Sequence, residues 1–305
     1  MMKSFQIKVP GSTANLGPGF DSIGVGLSLY LTIRVHTSNN WEFVHIGPNV
    51  PTDTTPKNHL LFQIAQDIAA RFNKTLPPCL IEMESELPLA RGLGSSAAAI
   101  VAAIELANIL CDLQLTTQDK LNLSSQIEGH PDNACASVLG GITISTMKDG
   151  IVDTIHLQTF EPSFVVMIPN YELKTAEARA ALPNHYERPY AVVASANANM
   201  LTASILQGDY TRIGNYMEAD YFHEPYRANL IPQFYDIKAA AKLAGAYGTA
   251  LSGAGPTLIS LVPTKKTESF IDIMKDKFPS YEIILTTVDE QGIVVEDLPI
   301  TTTRQ

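Results

Sequence analysis

Apolar and polar positions alternate where the chain begins: Phe5, Ile7 and Val9 predict a first strand, and Leu27, Leu29, Leu31, Ile33 and Val35 a longer second one. Residues 41–46 read as the hairpin partner of that second strand. Between the two strands, residues 10–21 (PGSTANLGPGFD) hold too much glycine and proline for either regular element and read as a loop. The period then changes to that of a helix: Leu61, Ile64, Ala65 and Ile68 share one face and predict a helix over 58–72. Residues 79–86 read as a strand delivering the chain to 88–99 (PLARGLGSSAAA). Beyond it, Ile100, Ile104, Ala107 and Cys111 form one apolar helical row, and Ala103, Leu106, Leu110 and Leu113 a second. Thr116 or Thr117 caps a helix over 118–128, and 142–146 is a strand. Turn chemistry at Lys148, Asp149 and Gly150 divides the chain into two units, 1–150 and 151–305.

The second unit opens with a strand over 164–168 and a short helix from 174 that Pro183 stops. Helices over 190–206 and 209–219 follow, residues 223–227 (HEPYR) interrupt them, and 233–243 is again helical. A second glycine-rich turn, 252–256 (SGAGP), leads into a strand over 257–262. A helix over 267–278 and a strand over 282–288 complete an α+β unit, and 301–305 read as a frayed tail.

Composition narrows the field. A chain of 305 residues with 45% hydrophobic and 17% charged side chains is globular and long enough for two domains or one bilobed unit. The net charge of −10, with scattered basic residues, argues against nucleic acid and anionic membrane as partners, so an anionic substrate needs a metal ion or local arginines. Three widely spaced cysteines, Cys79, Cys111 and Cys135, fit a reducing compartment and give no metal-binding spacing. The N-terminus has no apolar segment of signal-peptide type, and the longest apolar run, 97–110, is broken by Glu105. A soluble cytoplasmic protein is expected.

Two readings of residues 88–99 stand side by side: a serine-capped turn, or a loop aiming free amides and a helix dipole at a phosphate. It is not a Walker A loop, because no lysine follows in the required place. A nucleophile elbow of the Gly-x-Ser-x-Gly kind is missing, as are His-x-x-x-His and Cys-x-x-Cys pairs. Two glycine-rich turns and dispersed carboxylates and arginines remain, a set suited to phosphoryl transfer, which asks for positioning, Mg²⁺ and charge stabilisation. Ser96 and Glu128 suffice for a minimal Mg²⁺ shell. Asn15 and Asp21 are the polar members of the first loop, and Glu128, His130, Asp132 and Asn133 cluster within six residues.

Residues 10–21, 88–97 and 252–256 together resemble the three ordered motifs of the galactokinase, homoserine kinase, mevalonate kinase and phosphomevalonate kinase superfamily. Within it the homoserine kinases resemble this chain most, through 14–21 (ANLGPGFD), 130–133 (HPDN), 175–179 (TAEAR) and Tyr226 with Arg227. The resemblance implies an α+β, two-domain GHMP kinase fold. Its N-terminal part would be a ribosomal-protein-S5-like α/β domain with a left-handed βαβ unit, and its C-terminal part a ferredoxin-like α+β domain. It implies ATP as co-substrate, Mg²⁺, and phosphorylation of the side-chain hydroxyl of L-homoserine, with a homodimer as a family expectation.

By the same resemblance Pro88, Leu89, Ala90, Arg91, Gly92, Leu93, Gly94, Ser95, Ser96, Ala97 and Ala98 would wrap the ATP phosphates, with Ser96 and Glu128 on the metal. Arg179 and Arg227 would clamp the substrate carboxylate, since a guanidinium fork suits it. Asn15, Asp21 and His130 would surround the amino and hydroxyl end, with Thr175 and Gly253 beside the substrate. Asn15, Asp21, Asp132 and Asn133 mark the catalytic neighbourhood without singling out a base. Direct attack by a hydroxyl oriented through Asn15 and Asp21 is the expected course, with His130 as a binder. Some homoserine kinases carry a longer insertion between the glutamate and this histidine. Two other readings remain: a sister kinase acting on mevalonate or shikimate, and a non-catalytic ligand sensor.

Overall fold

The computed structural model describes residues 4–158 and 162–299, so the tail expected over 301–305 lies outside the described residues. Its strands are β1 (Phe5–Asn15), β2 (Gly19–Thr37), β3 (Glu42–Ile46), β4 (Cys79–Ser85), β5 (Ile142–Lys148) and β6 (Ile151–Leu157). They continue as β7 (Ser163–Pro169), β8 (Gly248–Leu251), β9 (Leu258–Val262), β10 (Tyr281–Thr286) and β11 (Val294–Asp297). The helices of the first half are α1 (Leu60–Arg71), α2 (Ser95–Cys111), α3 (Thr117–Glu128) and α4 (Pro131–Leu139). Those of the second are α5 (Thr175–Ala180), α6 (Arg188–Gln207), α7 (Tyr210–Met217), α8 (Glu224–Arg227), α9 (Phe234–Ala244) and α10 (Thr267–Lys277).

Two sheets result. The larger runs β11-β1-β2-β4-β3, with β5 on β2 and β6 on β5; the smaller is the antiparallel order β10-β7-β9-β8. This is the mixed α+β architecture expected of the chain. The elements differ from the sequence reading at five places. β1 runs on to Asn15, because irregular pairing at Pro10/Gly11 and Ala14/Asn15 lets the glycine-rich segment stay in the sheet. β3 pairs in parallel with β4 across helix α1 rather than forming a hairpin with β2. The turn at Lys148, Asp149 and Gly150 sits inside the hairpin β5–β6, so the first sheet continues to Leu157. Residues 131–139 are a helix, α4, started by Pro131 at its first position. β11 pairs with β1, returning the end of the described chain to the first sheet.

α2 is the hub. From Ala97 to Ala107 every residue is buried, so the helix is apolar on all sides and lies inside the first lobe rather than on it. The alanines let α1, α3 and β1 approach closely, and the one charge, Glu105, is met by Lys120 of α3 at 2.5 Å. Asp112, in a left-handed conformation, ends the helix, so Leu113 lies beyond it. Burying each Ile or Leu of this layer contributes roughly 1.5–3 kcal/mol. No helix among the described residues is long and apolar enough to cross a membrane.

Candidate active site

The mouth of α2 is built by glycine geometry. Gly94, the residue before the helix, has φ +70° and offers no side-chain cap; a Cβ on it would stand 2.2 Å from Ser12 Oγ. Gly92 has φ +78°, and a Cβ there would stand 2.4 Å from the carbonyl oxygen of Ser252. The first helical hydrogen bond runs from Ala98 N to Gly94 O at 2.9 Å, so the amides of Ser95, Ser96 and Ala97 precede it and sit at the positive end of a 17-residue helix with no acidic side chain in its first turn. The serine cap of the first reading is not formed, because Gly94 precedes the helix and no side chain caps it.

Across the cleft stands Glu128, the last residue of α3, whose Oε2 accepts a hydrogen bond from Ser96 Oγ at 3.1 Å. Burial pushes its carboxyl above the usual range; the nearby His130 and the Ser96 hydroxyl pull only partly the other way. His130 donates from Nδ1 to Asp132 Oδ1 at 2.5 Å. Burial alone would lower this imidazole, but the bond to Asp132, with the charges of Asp132, Glu128 and Asp21, outweighs it and raises it above its ordinary value. Asp132 Oδ1 also accepts from the Asn133 amide at 2.7 Å, and the Asn133 side chain donates to Ser12 Oγ at 2.9 Å.

The opposite wall comes from the β1–β2 turn and the second lobe. Asn15 and Asp21 both have positive φ, +73° and +53°. Asn15 Oδ1 accepts from the Asp21 amide and its Nδ2 donates to Gly253 O, both at 3.0 Å. Arg179, one turn beyond Thr175 on α5, grips both Asp21 oxygens, at 2.8 and 3.1 Å. Arg227 is buried; burial and the charge of Arg179 lower its pKa to about 10, and its Nη1 donates to Gly253 O at 3.1 Å.

One cleft is lined by Asn15, Asp21, Ser96, Glu128, His130, Asp132, Asn133, Thr175, Arg179, Arg227 and Gly253, together with Ala90, Gly92, Gly94 and Ser95 of the glycine loop. The rest of that loop supports it: Leu93, Ala97 and Ala98 are buried in the core behind it, and Pro88 is half-buried at its start. Arg91 turns outward, donating to Pro169 O at 3.1 Å and pairing with Glu172 at 3.6 Å. Leu89 belongs to a second, apolar cleft, with Leu31, Pro51, His59, Leu61, Met83 and Ala99 among its lining. Ser95 and Ser96 line both clefts, which therefore meet at the mouth of α2.

The sequence reading passed over two features here. Lys174, at the start of α5, lines the polar cleft; its only sequence signal was its place beside Thr175. The apolar cleft had no motif, because its walls come from five separate segments. A third grouping, Asp21, His130 and Asp132, holds its ligand atoms within 4.8 Å of one another. Asp21 is committed to Arg179 and His130 to Asp132, so the trio is a hydrogen-bonded charge cluster.

A lysine-free glycine loop at a helix mouth in the first lobe, a second glycine turn packed on it and a cleft with carboxylates facing arginines are the parts that suit a small-molecule kinase. Two family models match the chain, GHMP kinases N terminal domain over residues 59–141 and GHMP kinases C terminal over 201–280. The chain belongs to the GHMP kinase family. It is 46% identical to a homoserine kinase of Bacillus velezensis, covering 97% of this chain and 96% of that protein. It is 40% identical to one of Staphylococcus saprophyticus, covering 98% and 99%. The crystal structure of a homoserine kinase from Cytophaga hutchinsonii superposes with a TM-score of 0.84 at 27% identity, covering 97% and 98%. The fold also extends to L. major mevalonate kinase, at a TM-score of 0.72 and 18% identity over 92% and 95% of the two chains.

Proposed function

We propose that the chain phosphorylates the side-chain hydroxyl of L-homoserine with ATP. One observation carries this reading: the helix mouth at Ser95 and Ser96 and the group Asp21, Arg179 and Arg227 line one and the same cleft. The amides of 95–97 offer donors to phosphate oxygens, and Lys174, at the rim, adds a cation the glycine loop lacks. The apolar cleft that shares Ser95 and Ser96 suits the nucleoside base, whose faces need apolar walls.

On the facing wall, Asp21 is the acceptor for an ammonium, and Arg179 and Arg227 are donors for a carboxylate. Asp21 and Arg179 satisfy each other; a zwitterion would replace both partners at once, which keeps the exchange near balance. Asn15 and Asp21 orient the hydroxyl. Asp132 holds His130 by its Nδ1, so the imidazole is a fixed donor group beside the reacting end. A loose transition state asks for little deprotonation before attack, so alignment and charge stabilisation carry the rate.

The Ser96 hydroxyl and the Glu128 carboxylate, 3.1 Å apart at the phosphate site, are two oxygen donors of the kind a hard divalent cation takes. Mg²⁺ held there would neutralise charge developing on the β- and γ-phosphates.

The test is direct. Purified protein with ATP, Mg²⁺ and L-homoserine should release ADP and form O-phosphohomoserine. Release with mevalonate or shikimate but not homoserine would move the protein to a sister activity, and no release with any hydroxy acid would favour a ligand sensor.

A further inference from the structure

His223 stands just before α8, is wholly buried and does not itself line the cleft, yet its two ring nitrogens reach two separate parts of the substrate wall. Nε2 lies 2.9 Å from the carbonyl oxygen of Gly17, in the turn between Asn15 and Asp21. Nδ1 lies 3.3 Å from Arg227 Nη1. A guanidinium can only donate and a carbonyl can only accept, so Nδ1 carries the lone pair and Nε2 the proton. The ring is therefore the neutral tautomer. Full burial and the charge of Arg227 hold its pKa below the ordinary value despite Asp220, in agreement.

The connections close into a ring. Arg227 Nη1 donates to Gly253 O at 3.1 Å, the same oxygen receives Asn15 Nδ2 at 3.0 Å, and Asn15 returns through two residues of chain to Gly17. Phe20, next to Asp21, stacks on the His223 ring at 5.2 Å between centroids and has Arg227 5.3 Å from its own centroid. Arg227 Nε is held by Ala178 O at 3.3 Å. The turn itself cannot slide: a Cβ on Gly17 would lie 2.2 Å from Met217 O.

We infer that His223 is a positioning residue that sets the spacing between Asp21 and Arg227, and through it the recognition of a substrate carrying both an ammonium and a carboxylate. This rests on the homoserine reading and deepens it. The imidazole touches the substrate wall and, from Nε2 at 3.5 Å, the buried Asp220 carboxylate; the phosphate loop hangs from Ser12 and Ser252 instead.

The experiment compares H223L, which fills the space without polar contacts, with H223Q, whose amide can donate to Gly17 and accept from Arg227. In H223L the KM for homoserine should rise about tenfold to a hundredfold, the range expected when a hydrogen bond to a charged group is lost. The KM for ATP should stay within about twofold and kcat within about threefold, margins that correspond to well under one such hydrogen bond. H223Q should recover most of the loss. Because His223 acts through Arg227, H223L/R227A should have the homoserine KM of R227A alone. Should H223L fail to fold, H223N, polar but too short to reach both partners, carries the same expectation. An unchanged homoserine KM, a parallel rise in the KM for ATP, or H223Q no better than the other variants would overturn the inference. Wild-type protein that releases no ADP with homoserine would instead sink the functional reading on which it rests.

Discussion

Asp21 bears the assignment of an amino-acid substrate, because mevalonate and shikimate also carry a carboxylate and the arginines alone do not discriminate. D21N removes the charge an ammonium would meet and breaks the two-oxygen grip of Arg179. Its homoserine KM should rise by about tenfold or more, as for other losses of charged hydrogen bonds, with the KM for ATP nearly unchanged. A homoserine KM at the wild-type value would end the assignment. Glu128 predicts a trade between stability and function. Its folded-state pKa lies above its unfolded value, chiefly through burial, so it favours folding while protonated and loses that contribution as pH rises through the folded pKa. E128Q should therefore melt at a higher temperature than wild type at pH 8 and no higher at pH 4, while Mg²⁺-dependent turnover collapses. His130 lowers the Glu128 carboxyl through its charge, so H130N should move the acid limb of Mg²⁺ affinity to higher pH. A limb that stays in place would dissociate Glu128 from the metal.

At the scale of single elements, helix α2 and helix α3 begin in opposite ways, and the difference separates function from stability. α3 opens with a reciprocal cap: Thr116 Oγ1 accepts from the Asp119 amide at 3.1 Å, and the Asp119 carboxylate accepts from the Thr116 amide at 2.9 Å. α2 opens on Gly94 with no side-chain cap on its first amides. T116A should cost about 1 kcal/mol of stability and leave kinetics alone. G94A should act on the KM for ATP, since a Cβ would meet Ser12 Oγ and the left-handed backbone penalises any side chain. Equal kinetic effects in the two variants would deny α2 its special role. The same contrast explains what could be read in advance. The glycines of 88–99, the apolar face of α1 and the capping threonine of α3 are local signals, and they appear in the sequence as they do in the fold. The second half of β1 is not legible locally, because Pro10 and Gly11 are tolerated in it only through irregular pairing with β2, a long-range fact. α4 was missed because its residues are small and buried on nearly every side, leaving no polar face to give a period. Arg91 stood in the motif like its neighbours, and only packing against Pro169 shows that it faces away.

The whole molecule works as two lobes joined backbone to backbone at the cleft. Ser252 Oγ lies 2.6 Å from Gly92 O and 2.8 Å from Thr13 Oγ1, the Gly253 amide donates to Ala14 O at 3.1 Å, and the Thr257 amide to Arg91 O at 3.3 Å. The glycine loop of 88–99 and the wall that carries Asn15, Asp21 and Arg227 thus share one buried seam, and under the proposed function their relative placement would set the distance the phosphoryl group must cross. S252A opens that seam with little change of volume, and leaving its buried partners short of a hydrogen bond costs about 1–3 kcal/mol. The melting temperature should fall by about 1.5–2 °C for each kcal/mol lost in a chain of 305 residues. The kinetic signature should differ from every other variant above: the KM for ATP and the KM for homoserine should rise together, because Gly92 belongs to one site and Gly253 to the other. Since alignment carries the rate, kcat should fall as well, by more than the stability change explains. If S252A melts early but keeps both Michaelis constants and kcat, the seam holds the lobes together without setting their spacing, and each lobe positions its own ligand.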